Sequence, residues 1–188
     1  GLNKDKKIWI LETSSFTLHY TNKAKPNIYI LLPITEDHIT WHGSFDEYKK
    51  AKLKPLELMN ETDIAIIPAL YKDFKTSAYT IYYNSSDDLC NHFKIDKSKI
   101  KFNEPFLLDA IMAMVSRKII FGDVDYDLIN SYTIDKHKVE EFRDSKNRLW
   151  IDDSKATNYD ATINALVPYK DKNIHIIIMS SYSRMNTI

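Results

Sequence analysis

Three unbroken apolar runs limit what this chain can become: "KIWILE" at 7–12, "NIYILLP" at 27–33 and "TDIAIIPA" at 62–69. None of them alternates apolar with polar residues. A strand wetted on one face alternates, whereas a strand covered on both faces does not. The runs therefore predict a mostly parallel sheet with helices on both sides, the second run being stopped by Pro33. "SAYTIYYN" at 77–84 predicts a further strand nearer an edge. Apolar residues at helical spacing predict helices over 44–59 and 104–118, with a shorter one near 123–132. Strands alternating with helices make the fold class α/β.

The texture changes after residue 134. "DKHKVEEFRDSKN" is polar and charged and reads as including a linker. Beyond it a strand at 148–152, a helix at 158–167 and a strand "NIHIII" at 173–178 predict a second α/β unit. One strand–helix–strand is too small to be a domain, so 135–188 is expected to be the start of one, after a first domain at 1–134.

Composition removes several classes of function. Lysine plus arginine equal aspartate plus glutamate at 26 each, so no polybasic surface for nucleic acid or membrane is expected. No apolar run has the length of a membrane span, and the first ten residues lack the apolar core of a signal peptide. The single cysteine, Cys90, excludes an internal disulfide and suits a reducing cytoplasm. There are three glycines, Gly1, Gly43 and Gly122, and no glycine-rich phosphate loop can be drawn from them. A nucleotide's triphosphate cradle, if used, is expected to lie outside this chain.

Four places carry candidate chemistry. Glu12 ends the first run and is followed by "TSSF"; ligands of open α/β sheets gather at such strand ends, though taken alone a solvated carboxylate is the reading to prefer there. Glu36, Asp37 and His38 follow the second strand, and carboxylate with imidazole is workable magnesium or manganese chemistry. A turn cap at Asp37 or Thr40, with His38 bonded to a carbonyl, is the plainer alternative. In the helix after Gly43, Lys52 falls inside the apolar stripe of Phe45, Tyr48, Leu56 and Met59. An amine there either snorkels to solvent or is a functional group whose charge has been altered. Pro55, three residues on, is expected to kink or restart that helix. Finally "WIDDSKATN" joins strand to helix: Thr157 is expected to cap a helix starting at Asn158, Lys155 adds charge at the N–H groups of its first turn, and Asp153 offers ribose hydroxyls a partner. An ordinary capped turn has the same letters.

Taken together, "WILETSSFTL", "TEDHITWHGSFDEYKKAKL" and "WIDDSKATNYDATINAL", in this order, resemble the Mur ligases over roughly residues 7–178. The likeness is strongest to the branch that adds D-glutamate to UDP-N-acetylmuramoyl-L-alanine in peptidoglycan synthesis. The resemblance implies an ATP-dependent ligase of three domains working through an acyl phosphate, with Mg2+ or Mn2+ and a carbamylated lysine. It implies metal-binding roles for Glu12, His38 and Lys52, with Lys52 the carbamylated lysine and with His38 and Lys52 catalytic. It implies ATP contacts at His137, Lys138, Asp153 and Lys155, and substrate contacts at Ser14, Lys155 and Thr157.

Departures qualify that likeness. Thr17 stands where the family usually has glutamine, and Lys138 replaces an arginine, keeping charge but losing the planar fork. "FNEPFLLDAI" offers Asn103 and Glu104 where the family has a His-Asn pair. The UDP-binding domain and phosphate loop would precede residue 1, and a Gly-Gly continuation is replaced by the tail "MSSYSRMNTI". The expectation is a fragment inactive by itself, with a tail, 179–188, from a shifted reading frame. The rivals are another Mur ligase or a folylpolyglutamate synthase relative, and a non-catalytic interaction module that keeps the fold. Oligomeric state is left open.

Overall fold

The computed structural model describes residues 5–178, which divide into two compact units, one ending at Asp135 and the other beginning at Lys136. The tail at 179–188, read from the sequence as atypical, lies outside the described residues.

The first unit is built on three parallel strands, β1 (Ile28–Ile30), β2 (Ile64–Pro68) and β3 (Tyr79–Tyr83), in the order β1-β2-β3. Ile28 pairs with Ile64, and Ile64 with Tyr79. Because strand side chains alternate between faces, β2 sends Ile66 to one side and Ala65 and Ile67 to the other. Ile66 joins Leu89, Ile111 and Val115 in one core cluster. Ala65 and Ile67 join Tyr29, Leu53 and Leu56 in a second. Both faces are covered, which is why the two runs that form β1 and β2 do not alternate with polar residues, and the parallel α/β class read from them is the one observed.

Helices α1 (Ser15–Tyr20), α2 (Ile39–His42) and α3 (Phe45–Leu58) surround β1 in sequence. On the other side of β3 come α4 (Ser86–Phe93), α5 (Leu107–Phe121) and α6 (Tyr126–Ser131). The sequence reading passed over α4. It is fixed by a capping box in which Ser85 accepts from the Asp88 N–H and Asp88 accepts from the Ser85 N–H. Buried Cys90 belongs to this helix, and burial pushes its thiol pKa up.

Two expectations for this unit are corrected. Residues 7–12 form no strand: Ile10 is 87% exposed and Leu11 63%, and the run pairs with no strand among the described residues. Pro55 does not break α3, which runs through it as one helix. Proline removes the bond that the Ala51 carbonyl would have accepted; the next carbonyl, that of Lys52, accepts a 2.6 Å hydrogen bond from the Tyr29 hydroxyl, so the sheet holds the helix beside that gap.

The second unit departs from a strand–helix–strand. Residues read as linker contain β4 (Glu140–Arg143), which pairs antiparallel with β5 (Leu149–Asp152). Asp144 builds the turn between them, its carboxylate accepting from the Lys146 and Arg148 N–H groups and from the Trp150 indole. Helix α7 (Tyr159–Leu166) follows, and 173–178 is not a strand. The cap of α7 is Asn158, one residue later than expected, its side chain accepting from the Ala161 N–H at 2.8 Å. Among the described residues no helix is long and apolar enough to cross a membrane.

Candidate functional site

In the first unit the candidate residues come from three segments. Ser14 caps α1: its hydroxyl accepts from the Thr17 N–H at 3.1 Å and lies 3.0 Å from the Thr17 hydroxyl. Thr17, unusual for the resembled family, thus supports the serine expected to touch substrate. Glu12 lies exposed in the extended segment before that cap. The far end of α1 is tied to α3 by the Lys54 amine, which donates to the His19 carbonyl at 2.6 Å.

His38 is placed by a tight local turn. The short helix α2 is bracketed by two left-handed residues, His38 at φ 52° and Gly43 at φ 85°. Glycine tolerates that conformation without cost, and histidine is one of the few other residues found there. The Asp37 carboxylate accepts the His38 N–H at 2.7 Å and lies 3.5 Å from its Nδ1. The turn therefore holds an exposed imidazole and a half-exposed carboxylate side by side.

Lys52 sits in α3 between buried Ala51 and Leu53 and one turn from buried Tyr48 and Leu56. It is half-buried, and burial lowers its pKa, while the Glu12 and Asp37 carboxylates lie near enough to pull it back up. Glu12, Asp37 and Lys52 thus share one electrostatic neighbourhood, which His38 joins through Asp37.

The sequence reading missed His42. Its imidazole is 9% exposed, its Nε2 lies 3.0 Å from the buried Ser15 hydroxyl, and its Nδ1 has no hydrogen-bond partner. The ring stacks on Phe16 at 5.7 Å and meets Tyr48 at 5.3 Å. Burial lowers its pKa; His19, His38 and Lys52 lower it further, and Glu47 opposes them. The letters "ITWHG" gave no cue to it, since its partner Ser15 is 27 positions away.

The second unit gathers the remaining candidates. His137 takes a left-handed φ of 67°, its N–H donates to Glu140 Oε2 at 3.0 Å, and its carbonyl accepts from the Lys155 N–H at 3.1 Å. Its Nδ1 lies 2.6 Å from Asp152 Oδ2, a bond that, with others from Ser154, pulls the Asp152 pKa down to about 2. Asp153 accepts the Val139 N–H at 3.2 Å; burial raises its pKa, with Asp152 adding to the rise and the Val139 bond opposing it. The 137–139 turn and the 152–155 loop are therefore clamped together, which brings His137, Lys138, Asp153 and Lys155 into one region, with exposed Thr157 two residues on. Two acids adjoin in this sequence, and only the pairing of β4 with β5 shows that Asp152 is the partner of His137.

Among the described residues, the group of three carboxylate and imidazole side chains drawn within 4.8 Å of one another is His137, Glu140 and Asp152. Both carboxylates there already accept hydrogen bonds from His137 itself, so the group is a closed clamp before any cation arrives. Glu12, Asp37 and His38 are not drawn so tight, but the Glu12 and Asp37 carboxylates both act on the Lys52 amine. An amine with a lowered pKa offers more of the neutral form that carbamylation requires, and the resulting anion would add oxygen donors to two carboxylates. That donor set fits magnesium, a hard cation that takes oxygen ligands.

Residues 2–107 match the family described as the Mur ligase middle domain. The chain is 55% identical over 177 residues to a Campylobacter jejuni (strain RM1221) protein named "UDP-N-acetylmuramoylalanine--D-glutamate ligase", covering 94% of this chain and 44% of that one. It is 41% identical over 197 residues to the protein of the same name from Helicobacter pylori (strain HPAG1), covering 97% of this chain and 47% of the relative. A Koribacter versatilis protein, again so named, is 26% identical over 195 residues, covering 90% and 43%. The chain thus spans less than half the length of these relatives.

Proposed function

This chain belongs to the Mur ligase family, and we propose that it carries part of the machinery of an ATP-dependent ligase joining D-glutamate to UDP-N-acetylmuramoyl-L-alanine. Residues 1–134 are read as the central nucleotide-binding domain. Residues 135–188 are read as belonging to the domain that brings the amino acid. The D-glutamate branch is supported by the names of the relatives above, against other Mur ligases and folylpolyglutamate synthases.

The observation that carries the reading is the half-buried Lys52 amine, flanked on α3 by buried Ala51 and Leu53 and acted on by the Glu12 and Asp37 carboxylates. A bare lysine in an apolar stripe costs free energy, whereas a carbamylated one is an anion suited to holding a cation. Glu12, His38 and carbamylated Lys52 would hold Mg2+ or Mn2+, and the exposed His38 ring would also face the substrate. The metal, when bound, would offset the charge on a transferred phosphoryl group. Ser14, positioned as the cap of α1, would bind the UDP-sugar substrate, whose carboxylate is activated as an acyl phosphate. In the second unit His137 and Lys138 would neutralise ATP phosphates, with Asp152 holding the His137 ring so that Nε2 is left for the ligand. Asp153 would take the ribose. Lys155 and Thr157 would bind at the ATP and D-glutamate end, where attack by the amine expels phosphate. A cytoplasmic location follows from those soluble substrates.

The test is a ligation assay on a chimera in which residues 5–178 replace the matching segment of the Campylobacter jejuni relative. Supplied with UDP-N-acetylmuramoyl-L-alanine, D-glutamate, ATP and Mg2+, the chimera is expected to turn over, and Lys52→Ala to lower turnover at least about a hundredfold. A folded chimera that does not ligate D-glutamate, or one indifferent to Lys52→Ala, contradicts the reading.

A further inference from the structure

His42 is buried and belongs to none of the roles above, yet it touches every segment of the first-unit site. It ends α2, four residues after His38, and its Nε2 reaches across to Ser15, the first residue of α1. Ser15 is 1% exposed and directly follows Ser14, the cap residue, with Glu12 two positions earlier. The His42 ring is held by Phe16 on α1, Trp41 on α2 and Tyr48 on α3, at 5.7, 4.5 and 5.3 Å.

We propose that His42 is the positioning residue of this site: its hydrogen bond to Ser15 latches the first turn of α1 onto α2, holding Glu12 and Ser14 in register with His38 and Lys52. Lys54 secures only the opposite end of α1. Loss of the latch would leave Glu12 on an exposed segment tethered at its far end.

The geometry also assigns the tautomer. A neutral imidazole has one N–H. On Nε2 it has the Ser15 oxygen as acceptor; on Nδ1 it would be a buried donor with no partner, which is the costlier arrangement. The proton is therefore on Nε2, with Ser15 Oγ accepting.

The consequence for the cation rests on the function proposed above; the latch does not. The test uses the 188-residue chain and the variants His42→Phe, Ser15→Ala and His42→Gln. Phenylalanine keeps the ring packing and removes the bond, while glutamine can still donate to Ser15. Three readouts are taken: the imidazole 15N spectrum, amide hydrogen exchange over Ser15–Tyr20, and Mn2+ affinity. The expected results are an Nε2–H tautomer, faster exchange in His42→Phe and Ser15→Ala, and Mn2+ affinity about tenfold weaker in both. His42→Gln should restore affinity to within about threefold, a rescue that general loss of packing would not show. An Nδ1–H tautomer, or exchange unchanged in His42→Phe, overturns the latch. Normal Mn2+ affinity in His42→Phe overturns its positioning role. If the unaltered chain binds no Mn2+, the cation assignment falls, and the tautomer and exchange data still decide the latch.

Discussion

At the scale of single residues, buried charge separates structure from chemistry. Asp63 is fully buried at the start of β2, yet its surroundings are complete: Lys25 pairs with it, Asn27 Nδ2 donates at 3.2 Å and the Asn60 N–H at 2.8 Å. Burial alone would raise its pKa, but the Lys25, Asn60 and Asn27 bonds outweigh it and the net shift is downward. A lowered folded pKa means stability that is present above the unfolded value, near about 3.9, and is lost as pH falls through the folded one. Asp63→Ala should destabilise the first unit by about 3 kcal/mol in urea titrations at neutral pH. The difference from the unaltered chain should shrink as the pH is lowered through that range, and a constant difference would show that the carboxylate charge does not matter. Lys52 is the opposite case, a half-buried amine whose nearby carboxylates do not cancel the cost of burial. That anomaly was legible in the sequence, because helical spacing alone places a lysine among apolar neighbours. His42 and Asp152 were not legible, because each matters through a partner 15 or more positions away.

At the scale of elements, periodicity located α3 and α5 to within a few residues, and apolar runs located β1, β2 and β3. The failures share one cause. An apolar run states that a segment can be a strand, but a strand exists only when another pairs with it. Among the described residues 7–12 and 173–178 have the composition without a partner, while "EEFR" lacks the composition and has one in β5. Helix α3 shows the same dependence on tertiary context, since it crosses Pro55 with the Tyr29 hydroxyl supporting the Lys52 carbonyl. Tyr29→Phe should therefore cost about 1 kcal/mol in thermal or urea unfolding. It should also loosen the turn that carries Lys52, seen as faster exchange of the Leu53, Lys54 and Leu56 amides. Unfolding and exchange both unchanged would mean that the helix tolerates its proline unaided.

At the scale of the whole molecule, two units each collect candidate residues from distant parts of the sequence. In the first, the Glu12 and Asp37 carboxylates act on the Lys52 amine, with His38 beside Asp37; in the second, His137, Glu140 and Asp152 close on one another. The first assembly offers a half-buried amine acted on by two carboxylates, whereas the second is already closed by its own hydrogen bonds, and the proposed function stands on that distinction. Paramagnetic broadening of assigned amide resonances by Mn2+, added in bicarbonate buffer, locates the ion directly. The account predicts that broadening begins at Glu12, Asp37, His38 and Lys52 and disappears in Lys52→Ala. Broadening centred on His137, Glu140 and Asp152, and indifferent to Lys52→Ala, would contradict it.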